Sequence, residues 1–210
     1  MAKTLVIDPS NPDIEAVCTV AHEILHGRVI IYPTDTVYGI GADACNPVAV
    51  ERVFQIKRRD PGKPILVLVN SLDMVIRLVE SIPDTARALI EKFWPGPLTL
   101  VFKASPSLPQ RLTGAIGTIG IRYPQHLFCL KVLQICNRPI TSTSANISGD
   151  EQTLSINEIR RTFDPTVDLI VDAGDVSSTQ PSTVIDVTGI LPKLLRAGAL
   201  SNDMIKPYLS

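Results

Sequence analysis

The chain has 210 residues, 45% of them hydrophobic and 20% charged, with 20 basic against 21 acidic side chains for a net charge of −1. That length and composition suit one globular domain, residues 1–210, with a sizeable core, and they exclude a disordered or low-complexity chain. The charge balance gives no global attraction to nucleic acid, although a local basic concavity is compatible with it.

Thr4 to Ile7 reads as a short strand. Apolar residues at Ile14, Val17, Cys18, Ala21, Ile24 and Leu25 have helical spacing over Pro12 to His26, and Gly27 supplies the stop. Arg28 to Pro33 reads as a buried strand closed by proline. Asn46-Pro47 is an N-cap followed by a first helical residue, opening a helix that runs to about Lys57. Pro64 to Val69 is a further apolar strand, and two helices follow, opened by Ser71 and by Pro83-Asp84. Trp94-Pro95-Gly96-Pro97 breaks the second of them. Strands are predicted at Leu98 to Lys103, Thr118 to Arg122, Pro139 to Thr143, Leu169 to Asp172, Thr183 to Val187 and Lys193 to Arg196. Gln125 to Cys136 reads as a helix, and Ser155-Ile-Asn-Glu158 fits a capping box ahead of another. Alternating strands and helices that turn strand-rich late predict an α/β fold with a mixed sheet.

The N-terminal residues do not pair a basic stretch with an apolar one, so no signal peptide is expected. No apolar run approaches the roughly 18 residues of a membrane span, and a soluble, cytoplasmic chain is the expectation. Cys18, Cys45, Cys129 and Cys136 are scattered without a C-x-x-C pair, which argues against structural zinc. All four read as small buried hydrophobes. His22, His26 and His126 fall in helical segments and read as partly exposed helix residues.

No P-loop, dinucleotide fingerprint, nucleophile elbow or H-E-x-x-H occurs. Five polar clusters stand at strand and helix ends, where open α/β sheets place ligands. They are Pro33 to Gly41; Lys57-Arg58-Arg59 with Lys63; Arg122 before Tyr123-Pro124; Thr141 to Gly149; and Ser182-Thr183 with Arg196-Ala197-Gly198. Each alone is equally a solvated turn, and Lys57 read that way would be dispensable for stability. Together they offer cations and hydroxyls without a nucleophile–base pair. That set suits a reaction in which one anionic substrate attacks the phosphate of another while the protein positions both and neutralises charge.

The ordered motifs PTDTVYGIG, K-x-R, FWPGPLTLVF, TIGIRYP, STSANISG, PSTVIDVT and LLRAG span nearly the whole chain. In this order they closely resemble the YrdC/YciO-like family of threonylcarbamoyl-AMP synthases. The resemblance implies a twisted, mixed, largely parallel sheet with flanking helices around a deep basic cavity. It also implies condensation of L-threonine, bicarbonate and ATP, the last with Mg2+, to threonylcarbamoyl-AMP and pyrophosphate. The adenylate would pass to a tRNA-modifying transferase complex acting on adenosine 37. By position in the motifs, Lys57, Arg59, Ser144 and Asn146 would carry the catalytic signature. Thr36, Arg122, Ser142 and Ser182 would surround threonine, while Arg59, Lys63, Thr118, Ser144 and Arg196 would contact ATP. No metal-ligating residue is implied in the chain itself.

The chain departs from the family pattern at Leu68, where many synthases have histidine, and at Pro181, where an acidic residue is common. The run Asp150-Glu151-Gln152-Thr153 replaces a proline- and serine-rich stretch, and the chain ends soon after Arg196, so the further C-terminal domain of longer relatives is not expected. These departures lean toward the YciO-like branch. The alternative they carry is a nucleotide- or RNA-binding protein with weak or lost synthase activity.

Overall fold

Side-chain caps open four of the eight α-helices among the described residues. The Asp13 carboxylate accepts from the Glu15 amide ahead of α1 (Ile14–Leu25), and Gly27, at φ +75°, ends it. Asn46 Oδ1 accepts from the Val48 and Ala49 amides ahead of α2 (Pro47–Lys57), with Pro47 in the first turn as predicted. Ser71 Oγ accepts from the Met74 amide ahead of α3 (Leu72–Leu78), and α4 (Asp84–Phe93) follows Pro83. Beyond them lie α5 (Gln110–Thr113), α6 (Leu127–Cys136), α7 (Ile156–Phe163) and α8 (Asn202–Ile205). The capping box before α7 differs from its prediction. Ser155 makes no side-chain cap, and Asp175 Oδ1 instead accepts from the Ile156 amide while Thr153 Oγ1 donates to Glu158.

The computed structural model describes residues 1–151, 153–176 and 180–209, so Gln152 of the 150–153 run lies outside the described residues. Its strands are β1 (Lys3–Val6), β2 (Ile30–Tyr32), β3 (Gly39–Gly41), β4 (Val67–Leu68), β5 (Leu98–Lys103) and β6 (Thr118–Arg122). They continue with β7 (Ile140–Thr141), β8 (Thr143–Ser144), β9 (Leu169–Asp172), β10 (Thr183–Asp186) and β11 (Lys193–Arg196).

The α/β class with mixed pairing is present, but the strands form two sheets rather than one. The first has the order β1-β9-β2-β3-β8 and the second β11-β10-β5-β6-β4-β7. Parallel pairs join β1 to β9, β2 to β9, β5 to β10 and β4 to β6. The β2–β3, β3–β8, β10–β11, β5–β6 and β4–β7 pairs are antiparallel, so the sheets are mixed rather than largely parallel. For β2–β3 and β10–β11 the reason is loop length: the 33–38 and 187–192 connections are too short for the crossover that a parallel pair requires.

The predicted strand from Pro139 to Thr143 is also divided. Its first part, β7, belongs to the second sheet; its last part, β8, belongs to the first; Ser142 stands between them. A Thr/Ser run has no apolar alternation to commit it to one face, so each half pairs where an open edge offers hydrogen bonds.

Helices α1 and α6 pack together, burying Val20, Ile24, Phe128 and Leu133 around Tyr32 and Leu68. Each such side chain contributes about 1.5–3 kcal/mol relative to exposure. Cys129 and Cys136 join this cluster, whereas Cys18 and Cys45 are exposed, contrary to expectation. On α1 the adjacent Val17 takes the inward position and leaves Cys18 outside. No helix among the described residues is long and apolar enough to cross a membrane.

Candidate functional site

A cavity of about 270 Å³ lies between the two sheets. One wall comes from the 34–38 loop with Gly39 and Ser144, and the other from Thr99, Val101, Gly120, Arg122, Val184 and Arg196. Strand alternation builds the second wall: on β5 Leu98, Leu100 and Phe102 point into the core, leaving Thr99 and Val101 to face the cavity. The glycines of PTDTVYGIG allow close packing beneath the first wall. A Cβ on Gly41 would sit 2.4 Å from Tyr32 Cε1.

Arg122 ends β6 and is only 2% exposed. Its Nη2 lies 3.3 Å from Asp35 Oδ1, and its Nη1 donates to Thr36 Oγ1 at 3.0 Å. Its Nε is buried without a hydrogen-bond partner among the described residues. The Thr34 hydroxyl accepts from the Thr36 and Val37 amides and donates to Val37 O at 2.7 Å, fixing the loop that carries Asp35. Tyr38 pins the same wall from behind, donating to Gly174 O at 2.8 Å and accepting from the Ala173 amide at 2.9 Å. Burial, the leading cause, pushes the Tyr38 phenol up to about 12.

Two further guanidiniums face the cavity. Arg59 Nη2 donates to Pro64 O at 2.8 Å, and Arg196 grips Ser182 O through Nε at 3.1 Å and Nη2 at 2.9 Å. Among the described residues neither meets a carboxylate within ion-pair distance. Arg196 is exposed as a residue, but partial desolvation of its guanidinium first, and the Arg122 charge second, pull it below its ordinary range; burial also lowers Arg59 against an opposing pull from Asp60. Among the described residues three arginines and no carboxylate line the cavity, and Asp35 is already engaged by Arg122. Such a surface calls for an anionic ligand carrying more than one charge.

Lys57 differs from the solvated cation its position allows. It is 2% exposed at the end of α2, and its ammonium donates to Ser144 O at 2.5 Å, Asn146 O at 2.7 Å and Asn146 Oδ1 at 3.2 Å. Burial, then the Arg59 charge, bring it down to about 7. Asn146 Oδ1 also accepts from Ser144 Oγ at 2.6 Å, and Asn146 Nδ2 donates to Asp150 O at 2.7 Å. The four signature residues therefore do not stand side by side. Arg59 and Ser144 line the cavity, while Lys57 and Asn146 lie behind Ser144 and hold its loop.

Of the expected site residues, Thr36, Arg59, Arg122, Ser142, Ser144, Ser182 and Arg196 meet in this cavity. Lys63 is exposed and outside its lining. Thr118 lies at the opposite end of β6 from Arg122, paired with Lys103, and borders a separate surface depression. Leu68 pairs with Arg122 in the sheet, but its side chain is sealed in the apolar cluster of α1 and α6; Pro181 lines the cavity. Thr99 and Tyr38 were not singled out as site residues by the sequence. The alternation of LTLVFK around Leu98, Leu100 and Phe102 is the signal that puts Thr99 opposite the core.

The Sua5/YciO/YrdC family model, described as "Telomere recombination", matches residues 22–198. A curated protein of Pyrococcus abyssi named threonylcarbamoyl-AMP synthase is 38% identical over 186 residues, covering 89% of this chain and 55% of its own. The chain thus spans about half the length of that relative. The crystal structure of P. abyssi Sua5 complexed with L-threonine superposes at a TM-score of 0.92 with 34% identity, over 100% of this chain and 61% of its own. The crystal structure of E. coli YciO gives 0.90 with 28% identity, over 100% of both chains.

Proposed function

The chain belongs to the Sua5/YciO/YrdC family, and on that premise we propose that it is a threonylcarbamoyl-AMP synthase. Three arginines around one cavity, of which only Arg122 has a carboxylate partner among the described residues, carry the proposal, because the reaction brings two anions together. The threonine amine takes up carbon dioxide from bicarbonate, with loss of water, to form an N-carboxylate. One oxygen of that carboxylate attacks the α-phosphorus of ATP; the bond to the β-phosphate oxygen breaks, and pyrophosphate leaves with its electron pair. No protein nucleophile is needed. Arg122 and the Thr36, Ser142 and Ser182 hydroxyls suit the amino acid, and Arg59, Ser144 and Arg196 suit the triphosphate. Lys57 with Asn146 orients Ser144. Mg2+ enters as part of the MgATP substrate; among the described residues no group of three or more His, Cys, Asp or Glu side chains is placed to hold a metal ion. The product would serve a tRNA-modifying transferase in the cytoplasm.

Threonine-dependent release of pyrophosphate from MgATP, requiring bicarbonate, is the expected result. Folded protein showing no release above a blank would refute it. Pro181 in the cavity lining motivates a second reading, a nucleotide- or RNA-binding protein of the same fold with weak or lost synthase activity. ATP binding unaffected by threonine, with no pyrophosphate formed, would select that reading instead.

A further inference from the structure

Hydrogen counting at the end of β10 shows an unassigned donor. Ser182 and Thr99 are 4% and 3% exposed, and their hydroxyl oxygens lie 2.8 Å apart. Arg196 Nη2 donates to Ser182 Oγ at 3.1 Å. A guanidinium only donates, so this contact occupies a lone pair and uses neither hydroxyl hydrogen. The two hydroxyls hold two hydrogens, and their mutual bond uses one. The other has no protein acceptor among the described residues. Both side chains line the cavity, so the unused hydrogen is available to whatever fills it.

A purely structural role explains Thr99 poorly. Val101 occupies the same face of β5 two residues on, so an apolar β-branched side chain already fits this wall. Valine at 99 would match the shape of threonine and pack as well in a strand. What threonine adds is the hydroxyl.

We propose that Thr99 and Ser182 form one shared hydrogen-bond donor, which either hydroxyl can present to an oxygen of the bound amino-acid substrate. When Thr99 donates to Ser182, the Ser182 O–H is free for the ligand; when Ser182 donates to Thr99, the Thr99 O–H is free. Thr99 is thereby a substrate-binding residue in its own right. The inference rests on the amino acid occupying this cavity, as the functional reading requires.

Mutual substitution is the signature. In Thr99→Val the Ser182 hydrogen is released, and in Ser182→Ala the Thr99 hydrogen is released, so each single variant keeps one donor. Calorimetric titration of L-threonine into the full chain with MgATP present should show each single change weakening binding by about fivefold or less. The double variant, with no donor left, should weaken it by about a hundredfold, well beyond the product of the singles. Thr99→Ser combined with Ser182→Ala restores a hydroxyl and should bind like Ser182→Ala alone, which a packing defect would not do. If the Thr99→Val/Ser182→Ala protein does not fold, Thr99→Ala/Ser182→Ala takes its place in the cycle. A silent Thr99→Val beside a Ser182→Ala as weak as the double variant would make Ser182 the sole donor and overturn the proposal. Simple multiplication of the single effects would overturn it too. Wild-type protein that binds no threonine would overturn the functional reading, and this inference with it, before any variant is compared.

Discussion

Arg122→Ala is expected to cut kcat/KM for threonine-dependent pyrophosphate release at least about a thousandfold and to lower stability by about 3 kcal/mol. Both effects follow from one geometry. Arg122 is the most enclosed cation in the cavity wall, and its guanidinium is held in place by Asp35 and Thr36. Removing it deprives an anionic substrate of a preorganised fork and leaves Asp35 in a partly buried position without its ion pair. Arg122→Met combined with Asp35→Asn separates the two consequences. With both charges gone the melting temperature should largely recover while turnover stays lost. A double variant that regains turnover, or an Arg122→Ala enzyme above a tenth of wild-type activity, would remove Arg122 from the chemistry. Arg122→Lys should also be poor, because an ammonium keeps the charge but loses the planar fork.

Lys57→Met should reduce kcat by about a hundredfold with a smaller effect on KM, since the ammonium places Ser144 rather than lining the cavity. Its stability effect depends on pH. The folded protein holds Lys57 at about 7 against an ordinary 10.5, so below pH 7 both folded and unfolded states are protonated and the full cost of burying the charge is present. Between about pH 7 and 10.5 the unfolded chain binds a proton that the folded one does not, and unfolding free energy rises with pH. Denaturation curves of wild type and Lys57→Met should therefore diverge across that window in favour of wild type. A constant difference would mean that the three oxygen acceptors hold the ammonium charged throughout.

The sequence foretold elements better than their assembly. Asn46-Pro47, Ser71 and the LTLVFK and TIGIR runs specify their own structure, through caps or strict alternation, and the strands at 98–103 and 118–122 fall where predicted. The division into two sheets was not legible, because pairing of β3 with β8 joins residues more than a hundred positions apart and no local signal encodes it. The candidate site was half legible. Short polar side chains at strand ends identified Thr36, Ser142, Ser182 and Arg122, because polarity stands out against apolar strands. Burial does not stand out in this way. Lys57 reads as a surface cation beside Arg58 and Arg59, and only the tertiary return of residues 144–146 encloses it. Thr118 shows the converse: it belongs to a correctly predicted strand, yet the strand's length carries it away from the cavity.

The divided strand at 140–144 also limits how ligands reach the cavity. Amides in and just after this stretch bond in alternate directions: Thr141 to Ala42 O beside the first sheet, Ser142 to Leu66 O beside the second, and Ala145 to Tyr38 O back at the first. A few consecutive residues are thus stitched into both walls, and the walls cannot swing apart like jaws without breaking that seam. These three amides should exchange with deuterium only through global unfolding, at rates that follow the denaturant dependence of the whole domain; exchange through a local opening would show a hinge. With the seam closed, a ligand would enter past the side chains of the rim, and changes to those side chains should alter its association and dissociation rates more than changes that loosen the sheets.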